Sequence, residues 1–294
     1  MHNSIITRTA TATGLSLGAS GSLAENGSLC SVFQGLLGCR RKVIRMNDQD
    51  LWHGQDAFWE LFGPVLFSQQ RQLGAIAEVE KVEKLLEIEE QARILDLCCG
   101  TGRHSLELSQ RGFDVIGVDR TTAYIDKARA EAEKRGLDAE FLIGDMRAYC
   151  APNSFDIVLN LFGSFGYFED PEDDRRVVEN AYASLRPGGR FLIETQGKEI
   201  LARDFRERDW GEEGDLLILS EKKVSQNWGR IETRWIVIRG TERIEHRVSV
   251  RSYSAVELSS LLAACGFSEV RVFGSLDGTE YDQASQRLVV VGCK

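Results

Sequence analysis

The chain has 294 residues and a net charge of −9 at neutral pH, enough length for one sizeable core with an appendage. No apolar run approaches the roughly 20 residues that a membrane span needs. Residues 1–45 hold five basic groups against one acid, Glu25, a charge of +4 that leaves −13 on residues 46–294; so acidic a body argues against a general nucleic-acid binder, which needs clustered Lys and Arg, and leaves room for a small local basic patch.

Residues 1–45 are rich in Ser, Thr, Gly and Ala and show no apolar period, so disorder is expected there. They read either as a transit peptide for a chloroplast or mitochondrion, or as an upstream extension of a cytoplasmic enzyme that starts at Met46. Residues 46–91 are expected to be helical. Trp52, Phe58, Trp59, Phe62 and Phe67 fit an amphipathic helix that buries its aromatics, and they fit a lid over a ligand. Gly63-Pro64 is predicted to break this segment. A long helix follows over residues 69–90, with Ala75, Val79, Val82 and Leu86 at helical spacing.

Strands and helices then alternate over residues 92–200. Residues 93–97, 113–119, 140–143, 155–161 and 190–195 read as strands, and 103–110 and 121–135 as helices. Asp170-Pro171 opens a further helix, with Pro at its first position. Its apolar face is Val177, Val178, Ala181 and Leu185, and Pro187-Gly188-Gly189 ends it. Strands that are apolar throughout, alternating with helices, predict an α/β fold with a mainly parallel sheet covered on both faces. Over residues 201–253 the pattern changes to an antiparallel meander of three strands, 216–223, 230–238 and 244–251. Residues 254–294 open with a capping box, Ser254 with Glu257. A helix burying Leu258, Leu261, Leu262 and Cys265 follows, then strands over 269–273 and 287–292.

In an open parallel sheet, ligands bind beyond the carboxyl ends of the strands, at the switch point. The turn there runs DLCCGTGRH over residues 96–104. A nicotinamide loop wants a third glycine where Ser105 stands, and a P-loop wants a Gly-Lys-Ser/Thr that is absent. Asp96 at the turn would repel a pyrophosphate but suits a ligand that carries a cation. Asp119 ends the second strand, 17 residues after Gly102, where an acid accepts both ribose hydroxyls. Asp145 follows the third strand, placed to accept from an adenine amino group while Met146 packs on the ring. Each Asp alone also fits a turn or cap. The ordered set fits an adenosine joined to an amino acid and a sulfonium. The seven cysteines hold no Cys-x-x-Cys pair and read as reduced intracellular thiols; the four histidines show no metal-ligand spacing.

Five stretches carry a resemblance: ILDLCCGTG (94–102), VIGVD (115–119), GDMR (144–147), FDIV (155–158) and LRPGG (185–189). In this order they resemble the class I S-adenosylmethionine-dependent methyltransferases. The resemblance implies a Rossmann-like seven-stranded sheet with helices on both faces and the last strand antiparallel, here with the β meander inserted after strand five. It implies S-adenosyl-L-methionine as cofactor. Asp96 would face its methionine amino group, Gly100 and Gly102 would line it, Asp119 would hold the ribose, and Asp145 and Met146 would flank the adenine. Asn160 and Leu161 would border the methyl donor, and Cys98 and Arg120 complete the expected lining.

NLFGSFGYF over 160–168, together with the meander, resembles the small-molecule branch that includes aminosugar N,N-dimethyltransferases. There the meander covers the active site or pairs subunits, so a homodimer through the insertion is expected. The expected reaction is methyl transfer to nitrogen or oxygen of a small molecule. An RNA or protein methyltransferase and a non-catalytic binding module are the alternatives; Leu161-Phe162 stand where an Asn-Pro-Pro-Tyr motif has its prolines. If a base is used, the candidates are Tyr167 first, then His104, His246 and Glu194. Each also has a structural reading: a packed aromatic for Tyr167, a packing residue for His104, a solvated group for His246 and a loop-orienting acid for Glu194.

Overall fold

The computed structural model describes residues 51–294; the expectations for residues 1–45 lie outside them. After a 3-10 turn, Trp52–Gly54, come helices α1 (Asp56–Leu66) and α2 (Gln69–Leu86). The next elements are β1 (Arg93–Leu97), α3 (Arg103–Gln110), β2 (Asp114–Asp119), α4 (Thr122–Arg135), β3 (Glu140–Ile143) and β4 (Phe155–Asn160). They are followed by α5 (Pro171–Ser184), β5 (Leu185–Thr195) and α6 (Lys198–Arg203). A meander, β6 (Arg208–Glu213), β7 (Leu216–Ser225), β8 (Arg230–Arg239) and β9 (Glu242–Arg251), precedes α7 (Ala255–Ala264), β10 (Ser268–Phe273) and β11 (Leu288–Cys293).

The main sheet has seven strands in the order β10-β11-β5-β4-β1-β2-β3. β11 is antiparallel to both β5 and β10, while the pairs from β5 to β3 are parallel. Successive side chains of a strand point to opposite faces, so the sheet needs apolar cover on both. On one face, Ile94, Val115, Ile157 and Leu192 pack with Val79, Val82 and Leu86 of α2. On the other, Leu95, Ile116, Val158 and Ile193 pack with Val177, Val178 and Ala181 of α5 and Leu258 and Leu262 of α7. The chain crosses between β2 and β4 on either side of β1, and the crevice above β1 is where a ligand can enter.

Several details differ from the sequence expectation, among them α6, which has no counterpart in it. Pro64 lies inside α1, which runs on to Leu66 and breaks at Phe67 and Ser68. Proline disfavours helix in the residue before it by a clash with that residue's Cβ; here that residue is Gly63, which has none, and only two more helical residues follow. α2 stops at Leu86, four residues early, because Glu87 takes a left-handed conformation (φ 46°). β5 begins at Leu185, which leaves α5 one residue shorter than expected. The meander has a fourth strand, β6, and all six of its residues are exposed, so it has no apolar alternation to reveal it. The expected caps are present: Asp170 accepts the Glu172 N–H with Pro171 in the first turn, and Ser254 and Glu257 form a capping box.

Candidate functional site

The turn after β1 winds through three left-handed residues, Cys98 (φ 66°), Gly100 (57°) and Gly102 (79°). A Cβ on Gly100 would stand 2.6 Å from the Phe67 ring, and one on Gly102 would stand 2.8 Å from the Phe141 ring. Glycine is therefore required at both, by backbone conformation and by space. Gly100 lines the cleft above the sheet; Gly102 lies behind it, against Phe141 and Ala128. The cleft encloses about 980 Å³, part of it continuous with solvent.

Three carboxylates line this cleft, one from each of the first three strand ends. Asp96 is buried in β1, and the Ser105 hydroxyl donates to its Oδ2 at 2.5 Å. Asp119 Oδ2 accepts the Gly100 N–H at 3.0 Å and its Oδ1 accepts the Thr121 N–H at 2.8 Å. Burial pushes the Asp119 carboxyl up, against these two hydrogen bonds that pull it down. Asp145 behaves oppositely. Burial pushes it up, but the Arg147 side chain (Nη2 at 2.6 Å) and backbone N–H (2.8 Å) hold it below its ordinary value. A carboxylate has about four acceptor sites, so Asp96 and Asp119 retain capacity for a ligand, whereas Arg147 already makes four contacts to Asp145, two on each oxygen.

Met146 lines the cleft beside Cys98, whose Sγ stands 3.4 Å from the Met146 sulfur. Burial, then the charges of Asp119, Asp96 and Asp145, push the Cys98 thiol well up; it stays protonated and is no nucleophile. Asn160 is fully buried under the cleft floor rather than on its wall. Its Nδ2 donates to the Leu97 carbonyl at 3.2 Å, and its Oδ1 has no partner among the described residues. Leu161 does line the cleft. Arg120 lines it too, but its guanidinium donates to the carbonyls of His53 and Gly54 (3.1 Å for the latter), clamping the N-terminal segment down.

That segment packs on the meander by one set of aromatics and reaches the cleft by another. Phe58 and Phe62 are buried against Leu216, Ile218, Val237 and Val248 of the meander, while Trp59, Leu66 and Phe67 line the cleft. Tyr124 ties the two bodies together by donating its hydroxyl to the Trp59 carbonyl.

Both first-ranked base candidates line the cleft. The Tyr167 ring stands 5.0 Å from Trp52 and 5.9 Å from Trp59. Burial, above all, pushes its phenol up, so it is a hydroxyl at neutral pH. His104 Nε2 lies 2.7 Å from Glu78 Oε2 of α2, which also takes Arg103 Nη1 at 2.5 Å. Burial would raise the Glu78 carboxyl, but the His104 hydrogen bond and the Arg103 charge bring it down to about 2. Of the other two, His246 is half-buried in the meander, one side of its ring packing on Phe58 (5.3 Å between rings). Glu194 accepts the Phe162 N–H at 3.0 Å and orients the loop after β4. Sequence reasoning missed Glu78, Arg103 and Tyr124 around the turn, while Trp59 and Phe67 belong to the aromatic run that it singled out. Of the missed residues only Arg103 carried a local signal, in the turn motif.

Residues 94–189 match the family described as "Methyltransferase domain", and the seven-stranded order with β11 antiparallel is that of its fold. This chain is a class I S-adenosylmethionine-dependent methyltransferase. The methyltransferase is 25% identical over 205 residues to the putative methyltransferase YqeM of Bacillus subtilis, covering 68% of this chain and 83% of that one. It is 29% identical to the 23S rRNA (uracil(1939)-C(5))-methyltransferase RlmD of Bordetella pertussis over 44% of this chain, but spans only 28% of that protein. In fold it is similar to the S-adenosylmethionine-bound amino pentose methyltransferase CalS10 of Micromonospora echinaspora, with a TM-score of 0.58, 22% identity and coverage of 80% and 95%. Its cofactor is S-adenosylmethionine. The cleft suits that ligand: three carboxylates line a space for a group that carries a sulfonium cation, and the soft sulfurs of Cys98 and Met146 border it. Among the described residues, no helix is long and apolar enough to cross a membrane.

Proposed function

We propose that this methyltransferase acts on a nitrogen or oxygen of a small molecule. The observation that carries this reading is the roof of the cleft. Trp59 and Phe67 of the N-terminal segment and Tyr167 and Phe168 of the loop after β4 line one enclosed space with the β1 turn, which admits a small acceptor more readily than a folded RNA or protein. Asp96, Cys98, Gly100, Asp119, Asp145, Met146 and Leu161 would hold the cofactor, with Gly102 and Asn160 supporting them from behind and Arg120 supporting the roof. When bound, S-adenosylmethionine supplies a methyl group already activated by its positive sulfur.

The chain's own task is then to hold the acceptor in line and exclude water. His104 is the better placed proton acceptor. Glu78 fixes its Nε2 and offsets the charge of an imidazolium, an arrangement of base and orienting acid. Tyr167, held protonated, serves as a hydrogen-bond donor and an aromatic wall. The outer face of the meander, where Trp210 is 68% exposed and paired across from Leu219, supports the pairing of two copies through it.

Incubation with methyl-labelled S-adenosylmethionine and a cell extract separated into metabolites, RNA and protein tests the substrate class. Label is expected in the metabolite fraction; label in RNA or protein alone would sink the reading.

A further inference from the structure

Phe162 stands at the mouth of the cleft, and three guanidinium groups surround its ring. Arg71 Cζ lies 4.7 Å from the ring centroid, Arg103 Cζ 4.8 Å and Arg287 Cζ 5.8 Å. They come from α2, from α3 and from the segment before β11, so three separate stretches of chain bring like charges to one spot. Two carboxylates offset part of this: Glu78, 2.5 Å from Arg103 Nη1, and Glu194, 3.2 Å from Arg287 Nε. Glu213 acts on Arg71 at longer range. Burial, then the neighbouring charges of Arg103 and Arg287, draw the Arg71 guanidinium below its ordinary value. Its Nη1 makes a long hydrogen bond of 3.4 Å to the Leu66 carbonyl. Arg103 is 6% exposed, and its Nη2 has no hydrogen-bond partner among the described residues. A buried donor calls for an acceptor, whether water or ligand.

We propose that this cluster is an oxyanion subsite and that the methyl acceptor is a small molecule bearing a carboxylate or a phosphate ester. The inference rests on the small-molecule reading above and narrows it. Guanidinium groups take both oxyanions with two parallel hydrogen bonds. Arg103 and Phe162 line the cleft together with His104 and Tyr167, so an acceptor anchored by its anion at the mouth lies across the proton acceptor. An uncharged or cationic acceptor leaves the cluster without its counter-charge.

The test uses the full chain saturated with S-adenosylhomocysteine. Isothermal titration at constant ionic strength is run with acetate, inorganic phosphate and, as the uncharged control, acetamide. Saturable binding of at least one anion and none of acetamide is expected, and the two anion arms tell carboxylate from phosphate. Arg71→Gln and Arg287→Gln should each weaken the anion tenfold or more, with Arg71→Lys and Arg287→Lys between them and wild type. Affinity for S-adenosylhomocysteine should not change. Melting curves show which variants are folded, and the Lys variants carry the test where a Gln variant is not. Absence of saturable anion binding, or Gln variants that bind like wild type, overturns the proposal. Equal weakening of S-adenosylhomocysteine and anion also overturns it, because the cluster then serves the cofactor's own carboxylate. None of these readouts needs turnover, so they stand apart from the label-transfer test of substrate class.

Discussion

The Asp119 carboxylate bridges β2 to the β1 turn by accepting the Gly100 N–H at 3.0 Å. The residue expected to hold ribose therefore also fixes the loop that lines the cofactor. Asp119→Ala removes both roles. Cofactor binding should weaken by at least about tenfold, since a charge-assisted hydrogen bond is worth roughly 1.5–3 kcal/mol and about 1.4 kcal/mol is tenfold. Unfolding should cost about 1–3 kcal/mol less, for the unpaired N–H groups. Asp119→Asn, which keeps one acceptor, should lose less of both. Titration with S-adenosylhomocysteine and urea melts measure the two; a folded Ala variant with wild-type affinity removes the ribose role.

Gly100 faces Phe67, so the turn and the roof are sterically coupled. Gly100→Ala should lower the melting temperature and weaken S-adenosylhomocysteine, because the Cβ clashes with the ring and the backbone is left-handed (φ 57°). Phe67→Ala in the same chain should restore part of the loss, leaving the backbone strain. A double-mutant cycle in melting temperature decides: strict additivity means that the two residues do not meet.

Glu78 acts through His104, as a positioning residue. Glu78→Gln should lower kcat by roughly 10²-fold, in the lower range of general-base contributions, with little change in the Kd of S-adenosylhomocysteine. His104→Asn should lower kcat at least as far and abolish the acid limb of the rate–pH profile, which Glu78→Gln should shift. Tyr167→Phe should keep that limb. Retention of the limb by His104→Asn assigns the base elsewhere.

Asp174 is fully buried in α5, accepting from Arg251 Nε at 3.0 Å and the Tyr253 hydroxyl at 2.8 Å. Burial raises its carboxyl to about 6, against the pull of Tyr253, Arg251 and the more distant Arg230. A raised folded-state value means that the native chain keeps a proton which the unfolded chain releases. Its contribution to stability is fully present below about pH 4 and is lost as pH rises through 6, by up to about 3 kcal/mol at roughly 1.4 kcal/mol per unit. Glu78, held down at about 2, works the other way below pH 4.5. The wild type minus Asp174→Asn difference in urea stability should therefore fall between pH 4 and pH 7. A constant difference rules out the buried proton.

Cofactor choice has a direct check. S-adenosylhomocysteine should raise the melting temperature by mass action, and NAD should not, because the three carboxylates of the cleft oppose a pyrophosphate. A rise with NAD of equal size contradicts the charge argument.

The main sheet was legible because its strands are apolar on both faces and its helices have one apolar stripe each. Asp96, Asp119 and Asp145 were legible because strand ends are fixed points in such a sheet. β6 was not, since a strand with no buried residue has no period to read. Arg120 stands where expected, yet its guanidinium turns to the carbonyls of His53 and Gly54. Asn160 also stands at its expected strand end, but with its amide on Leu97 under the floor. Position along a strand is local information, whereas side-chain direction depends on which other segment arrives. The same limit hid Glu78, whose partners lie 25 and 26 residues away.

The roof helix α1 shares one apolar core with the meander, through Phe58 and Phe62 against Leu216, Ile218, Val237 and Val248. Trp52 adds a hydrogen bond from its indole to the Ser249 carbonyl of β9 at 3.3 Å. Segments from before β1 and from between β5 and β10 are thus welded into a single hood. Such a hood cannot be retailored from one side. A chimera that imports a foreign meander to change acceptor preference would inherit a mismatched seam unless residues 51–67 travel with it.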